Sequence, residues 1–587
     1  MAFQVSPSVT VKETDLTTIV PSVATTIGGI AASYSWGPAD EVIIVDTPKN
    51  YRSVFGDPYN WNAEDWFTGA NFLNYGRNLL VVRVCASDAK NSGTPLSGYS
   101  YQYVPNDGTD VTSLAPNVIA KYPGALGNSL KFSIGANTVT AGSGWTYWKN
   151  FGRKPSSTDN LVALAGTTTN DQIHFIVVDE DGLFTGEPGT ILEKFESVSL
   201  HPEAKSLNGE STFWKNVINT KSNYVKITGS VESHDVGNDD SGPSELFGYL
   251  DLGLSAAASS GSYVYTWKGN VGHHGTSSLT GGGGEQAPSS RKITSNLDSG
   301  VGYDLFCDPE NIDVSLILGG SISAVSQVSA LKNLVEKRKD CIAFLSSPVS
   351  KSDTYKTDSA KADICVNFAN NIVGSSSYVV IDSGYKKQTD PYNQVSRWIP
   401  LNGDVAGVCA RTDYTFDPWF SPAGLNRGQI KNSEGLAFNP NLTYRDRIYP
   451  EGINPVVEIV GEGTVLFGDK TALNKPSAFD RINVRRLFIV LEKAITAASK
   501  FSLFEFNDSF TRQQFRSLVE PFLRDVKSRR GIFDFKVVCD ESNNTPEKID
   551  RNEFVADIYI KPTRSINYIK LNFIATRTGV NFSEVGA

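Results

Sequence analysis

The sequence predicts a multidomain protein of mixed α/β and α+β class. A central α/β domain is split by a β-rich insertion and followed by an α+β domain of two helices on a small sheet. Three observations predict it. Apolar strand runs alternate with helical spacing near the start and again past residue 305. Between these lies a long stretch of short strands and turn residues. Near the end, two apolar stripes at helical period precede two strand runs and a final run of strict alternation. With 587 residues the chain has room for about three or four domains. An apolar content of 40% and a charged content of 20% suit ordinary globular cores.

Residues 1–22 read as an extended arm. Val9 and Val11 alternate with Ser8, Thr10 and Lys12, Pro7 and Pro21 punctuate, and nothing has helical period. Residues 23–87 open the central domain, with strand runs EVIIVDTP and NLLVVRVC around the helical AEDWFTGANFLNYG. Residues 88–304 form the insertion. Its strands, such as SLKFSIGA and QIHFIVVDEDG, are short, and its Gly/Ser-rich stretches, GGGG at 281–284 among them, read as flexible loops. The α/β pattern resumes over 305–435 with DVSLILGG, the amphipathic SQVSALKNLVEKRKD, CIAFLSSP and YVVIDSG. Insertion of one domain into another at a loop accounts for this order.

Residues 436–587 hold the α+β domain. Leu487, Val490, Leu491, Ala494, Ile495 and Ala498 make one helical stripe. Phe515, Leu518, Val519, Phe522, Leu523 and Val526 make another, and Thr511 with Gln514 fits a capping box. The strands FDFKVVCD and FVADIYIKP follow. Close to the end runs INYIKLNFIATRTG (566–579), in which Ile569, Leu571, Phe573 and Ala575 share one face. So regular a strand needs a sheet to join.

Composition excludes several function classes. The N-terminus has neither a basic nor an apolar region of the kind a secretory signal needs, and no stretch approaches the roughly 18 apolar residues of a membrane span. The six cysteines form no CxxC and read as reduced, buried thiols. The net charge is −9, unevenly spread. From Asp480 onward Lys and Arg outnumber Asp and Glu by 18 to 14, so the remainder carries −13. A basic tail domain on an acidic body suggests different partners for the two parts.

No catalytic, cofactor or metal constellation emerges. His273 and His274 sit in a Gly/Ser loop without spaced ligands, and His234–Asp235 has no GxSxG elbow. LILGGSISAV lacks the third glycine of a dinucleotide fingerprint, and no GxxxxGK[ST] occurs, so Gly319–Gly320 reads as a tight strand-to-helix turn. The basic RINVRRLF and RDVKSRR have no interleaved aromatics for base stacking. A protein partner fits them better than nucleic acid.

Four blocks carry a resemblance: RWIPLNGDVAGVCARTD (397–413), WFSPAGLNRGQI (419–430), FDRINVRRLF (479–488) and DRNEFVADIYIKPTRSINYIKLNF (550–573). With SPSVTVKET and WGPAD near the start, and YPGALGN (122–128) as an anchor in the insertion, the chain resembles the tail sheath proteins of contractile-tailed, T-even-like phages. The resemblance covers residues 1–85 and about 305–587. Where those proteins carry an extra outermost domain, a short loop over Lys90–Pro116 stands here.

The resemblance implies a homo-oligomer of six-fold rings stacked helically around a tail tube protein, bounded by baseplate and tail terminator proteins. It implies no cofactor, no direct nucleic-acid contact and no membrane insertion. The particle would be assembled in the bacterial host cytoplasm and would contract to drive the tube through the envelope. Residues 436–587 would be the inner, tube-facing domain and 88–304 the outer one, with terminal arms completing the inner sheet between neighbours. For strand exchange this points to Val9, Val11, Lys12, Ile569, Leu571 and Phe573, around FVADIYI, with hinges at Pro7, Pro21 or Gly579. For tube contact it points to the exposed face of the second helix, at Arg516, Arg524 and Lys527, with Arg529 and Arg530 beyond. Contraction without a nucleotide site would draw on energy stored at assembly. Other readings are the sheath of a bacteriocin or type VI-like injection system, an α/β enzyme with a β-rich substrate domain, and a β-rich adhesin.

Overall fold

The computed structural model describes residues 24–93, 117–135, 145–165, 171–200, 202–228, 255–256, 274–286, 292–293, 300–350 and 353–567. The expected arm with Val9, Val11 and Lys12, the expected end strand with Ile569, Leu571 and Phe573, and the hinges at Pro7, Pro21 and Gly579 lie outside the described residues.

A seven-stranded sheet forms the centre, in the order Ile453–Asn454, Val379–Asp382, Ile342–Ser346, Leu316–Leu318, Gly28–Ala32, Leu79–Arg83, Val42–Val45. All neighbours are parallel except Val42–Val45, which runs antiparallel to Leu79–Arg83. Gly28 pairs with Leu316 and Gly29 with Ile317, so the two sequence-distant α/β stretches share one sheet. Both faces are covered. Ala31, Val82, Ile317, Ala343 and Ile381 pack on the side of helix Val325–Arg338. Ile30, Val81, Leu318, Phe344 and Val380 pack toward helices Ala63–Leu73 and Asn402–Thr415. Burial on two sides explains why these strands read as unbroken apolar runs. Because Ile453–Asn454 adds to Val379–Asp382, the central sheet runs past the expected boundary at 435/436.

Within the insertion, the described strands make two antiparallel sheets. One has five strands, ordered Ser255–Ala256, His274–Ser278, Leu130–Gly135, Gln172–Asp179, Thr190–Ser199. The other pairs Asn117–Pro123 with Asn91–Gly93 and Val225–Thr228. Their shared core includes Phe132, Phe175 and Trp214, with the two phenylalanine rings stacked at 5.6 Å. The GGGG run is not a loose loop. Gly284 accepts from the Ala86 amide at 2.8 Å, Gly283 from Lys90 at 2.9 Å, and Gly282 donates to Asn128 Oδ1 at 2.9 Å. A Cβ on Gly282 would collide with Ser92 Oγ and the Gly124 carbonyl. The glycines allow three backbone segments to cross closely.

Helix Ile482–Ser499 links the central core to the C-terminal one. Ile482 and Ile489 belong to the central cluster, whereas Leu487 and Leu491 pack with Phe515, Val519, Leu523 and Val526 of helix Ser509–Ser528. That second helix starts a turn earlier than the expected capping box. Asp508 is the cap, accepting from the Thr511 amide at 2.8 Å, and Thr511 is buried. An aspartate cap satisfies an orphan amide and adds a negative charge at the positive helix end.

Candidate functional site: an unclosed ribbon and its basic helix

Strands Ile532–Val538 and Asp557–Pro562 pair antiparallel, with Phe535 opposite Ile560 and Val537 opposite Ile558. Helix Ser509–Ser528 covers one face through Phe515, Val519, Leu523 and Val526, and Trp419 closes the end. Among the described residues this sheet has two strands only, so both outer edges present unpaired backbone groups. A two-stranded ribbon is marginal alone and gains from an added strand. The pairing shifts register around Phe533, which is 75% exposed, and Tyr559 is exposed as well.

The structure places the five expected tube-facing residues on or just beyond the exposed face of this helix, in two groups. Arg516 pairs with Glu520, Lys527 with Asp534 at 2.9 Å, and Arg529 with Asp417 at 2.7 Å and Asp525 at 3.0 Å. Arg529 also lies 4.9 Å from the Trp419 ring centre, and its carbonyl accepts from the indole nitrogen. Arg524 and Arg530 are exposed and have no ion-pair partner among the described residues. The pairing with Lys527 holds the Asp534 carboxyl below its ordinary value.

The other basic run is not a surface. Arg485 and Arg486 are buried. Arg486 donates to Asp413 at 2.6 Å through one nitrogen and pairs with its second oxygen through the other. The same guanidinium reaches the Cys409 carbonyl at 3.3 Å and the Thr25 carbonyl at 3.4 Å. Burial opposes its charge, but Asp413 beside it holds the guanidinium above its ordinary value. Arg485 stacks over Phe479 at 4.0 Å and Tyr378 at 4.3 Å. Both arginines therefore tie the bridging helix to the central unit.

The sequence reading missed one surface. The connection between the two helices exposes Phe501, Leu503, Phe504 and Phe506, and Phe510 at the start of the second helix is exposed as well. Asn507 donates to the Glu553 carbonyl at 2.9 Å, fixing this loop against the turn that precedes the second ribbon strand. Its signal was present in FSLFEFNDSF, an apolar run without helical or strand period. Apolar side chains gathered on a surface mark a contact site.

Elsewhere, chemistry-bearing groups are occupied structurally. At the Gly319–Gly320 turn, Gly320 has φ +57°, a Cβ there would strike Asp65, and the Ser321 amide donates to Asp65 at 2.7 Å. A carboxylate thus takes the place a phosphate would need. His174 is wedged between the Arg153 carbonyl (2.7 Å) and the Ser197 amide (3.0 Å), its ring stacked on Phe151. No group of acidic, His and Cys side chains among the described residues is arranged to hold a metal, and no described helix is long and apolar enough to cross a membrane. The six cysteines are free thiols.

Strand edges open among the described residues, together with an exposed apolar loop, are the features of an assembly subunit. Residues 314–472 match the phage tail sheath protein central domain, and residues 474–576 match the phage tail sheath C-terminal domain. The chain is 32% identical to the tail sheath protein of Vibrio phage KVP40 and 33% identical to that of Enterobacteria phage T4, over 99% of both chains in each case. The chain belongs to the tail sheath protein family. The first of these alignments spans 679 positions against 587 residues here, so that relative has segments this chain lacks. The mixed α/β fold with several sheets is similar to that of the sheath tail protein of Listeria innocua (TM-score 0.51, 12% identity, 93% of this chain and 94% of that one). The sheath tail protein of Desulfitobacterium hafniense is similar to the same degree (TM-score 0.50, 11% identity, 92% and 94%).

Proposed function

We propose that this chain forms the contractile wall of a phage tail. Copies assemble as six-fold rings stacked around a tail tube, between a baseplate and a terminator. The unit around 436–587 faces the tube, and 88–304 faces outward. Terminal segments of neighbours, through Val9–Lys12 and Ile569–Thr576, complete the inner sheet. The observation that carries this reading is the ribbon of Ile532–Val538 and Asp557–Pro562, whose edges are open among the described residues. Strand addition there supplies backbone hydrogen bonds for affinity, and alternating side chains set the register. Contraction draws on contacts stored at assembly, in keeping with a Gly-Gly turn already filled by Asp65.

Tube contact falls first to Arg524 and Arg530, which have no ion-pair partner among the described residues, and then to Arg516, Lys527 and Arg529, whose exposed pairs can exchange partners. The aromatic loop at Phe501–Phe510 adds apolar area. Each exposed pair is worth only about 0.2–1 kcal/mol, so the sum over many copies, rather than any single contact, lets the tube template assembly. Reversing charge at Arg524 and Lys527 together is expected to leave the folded subunit intact while reducing tube-templated assembly in an electron-microscopy assay. The defect should be largest at low salt, where screening is weakest. Wild-type assembly by that double variant would remove the electrostatic part of the reading.

A further inference from the structure

Beyond Pro562 the chain leaves the ribbon and crosses back to the central unit. Thr563 donates its amide to the Gly531 carbonyl at 3.2 Å, and from there side chains hold the segment. Ser565 Oγ donates to Asp469 at 2.9 Å, and Asn567 Nδ2 donates to the same carboxylate at 3.2 Å and to the Tyr449 hydroxyl at 3.1 Å. Asp469 is buried, 3% exposed, and also accepts from Arg481 at 2.9 Å, Ser421 at 3.0 Å and Tyr449 at 3.2 Å. Arg481 in turn donates to the Tyr449 hydroxyl at 2.6 Å.

One carboxylate thus gathers five donors, three from the body and two from the departing chain. Burial alone would raise this carboxyl. The Ser565 hydroxyl, the Arg481 charge, Asn567 and Ser421 outweigh it and hold it below its ordinary value. Thr563, Arg564, Ile566 and Asn567 are exposed. The segment borders a cleft of about 620 Å³ lined by Ser477, Arg481, Val484, Pro562 and Arg564, and Ile566 points outward, 82% exposed. Charge-assisted hydrogen bonds rather than apolar burial therefore hold the segment.

We propose that Asp469 anchors the root of the C-terminal segment, fixing the point from which the chain beyond Asn567 departs toward a second copy of this protein. The destination rests on the strand-exchange reading above; the anchor does not. A fixed root confines the following residues to a small volume, which raises their effective concentration at a neighbour's ribbon edge.

Limited trypsin digestion of the full, unassembled chain tests this at the Arg564–Ser565 bond. Two variants approach the anchor from opposite sides. Asp469→Asn removes the charge, and Ser565→Ala with Asn567→Ala removes the two donors while leaving Asp469, Arg481 and Tyr449 in place. Both are expected to cut about tenfold faster at that bond than wild type, because cleavage follows the population of the released state. Cleavage after Arg551, in an exposed turn, should stay unchanged. Unchanged cutting in both variants, or acceleration in only one of them, would overturn the anchor. If both accelerate and polymerisation is nonetheless normal, the anchor stands and its link to exchange between copies falls.

Discussion

Replacing Arg486 with alanine is expected to loosen the joint between the C-terminal and central units by about 3–5 kcal/mol, because it leaves the Asp413 carboxylate buried without its charged partner. The side chains of Arg486 and Asp413 are only 4% and 2% exposed, so water cannot replace the lost partner. The effect is local to the bridging helix. Ile482 and Ile489 hold it to the central core, Leu487 and Leu491 to the C-terminal one, and the guanidinium also reaches the Thr25 carbonyl just ahead of strand Gly28–Ala32. Hydrogen exchange of peptides from 482–499 should rise accordingly, with little change in the insertion's sheets. Replacing both partners with apolar residues of similar volume should recover most of the stability, since desolvating a charge pair costs about as much as the pair gains. If the alanine variant exchanged like wild type, this pair would not be what joins the two units.

Deleting residues 1–20 is expected to have the larger effect on assembly. The seven described strands of the central sheet start at Gly28–Ala32, after these residues. The truncated subunit should therefore fold with an unchanged melting profile and fail to polymerise, remaining a small particle by sedimentation and microscopy. What is lost is the strand that would close a neighbour's ribbon, along with its row of backbone hydrogen bonds. Normal sheaths from the truncated chain would show that the N-terminal segment carries no link between copies.

The central sheet was legible in the sequence because its strands, buried on both faces, are short apolar runs between amphipathic helices. NLLVVRVC and CIAFLSSP name their own strands. The two C-terminal stripes were equally plain, and Leu487, Leu491, Val519 and Leu523 meet in one core. Long-range polar pairing was not legible. Nothing in RINVRRLF distinguishes arginines aimed at solvent from arginines aimed at Asp413, about 70 residues earlier in the chain. The same blindness hid Asp469, whose donors come from positions 421, 449, 481, 565 and 567. The GGGG run misled for a related reason, because glycine marks both a loose loop and a place where backbones nearly touch. Thr511 misled as a cap because Asp508, one turn earlier, already starts the helix and accepts from the Thr511 amide.

Whether the ends of one subunit pair with the ribbon of another can be read from mixed-isotope cross-linking. Sheaths are assembled from equal parts of unlabelled and ¹⁵N-labelled protein and treated with a lysine-reactive cross-linker. Peptides joining Lys12 to Lys536 or Lys561 of the ribbon are then weighed. Exchange between copies gives abundant pairs with one light and one heavy partner. Cross-links that are only light–light or heavy–heavy would place each arm on its own subunit and contradict it.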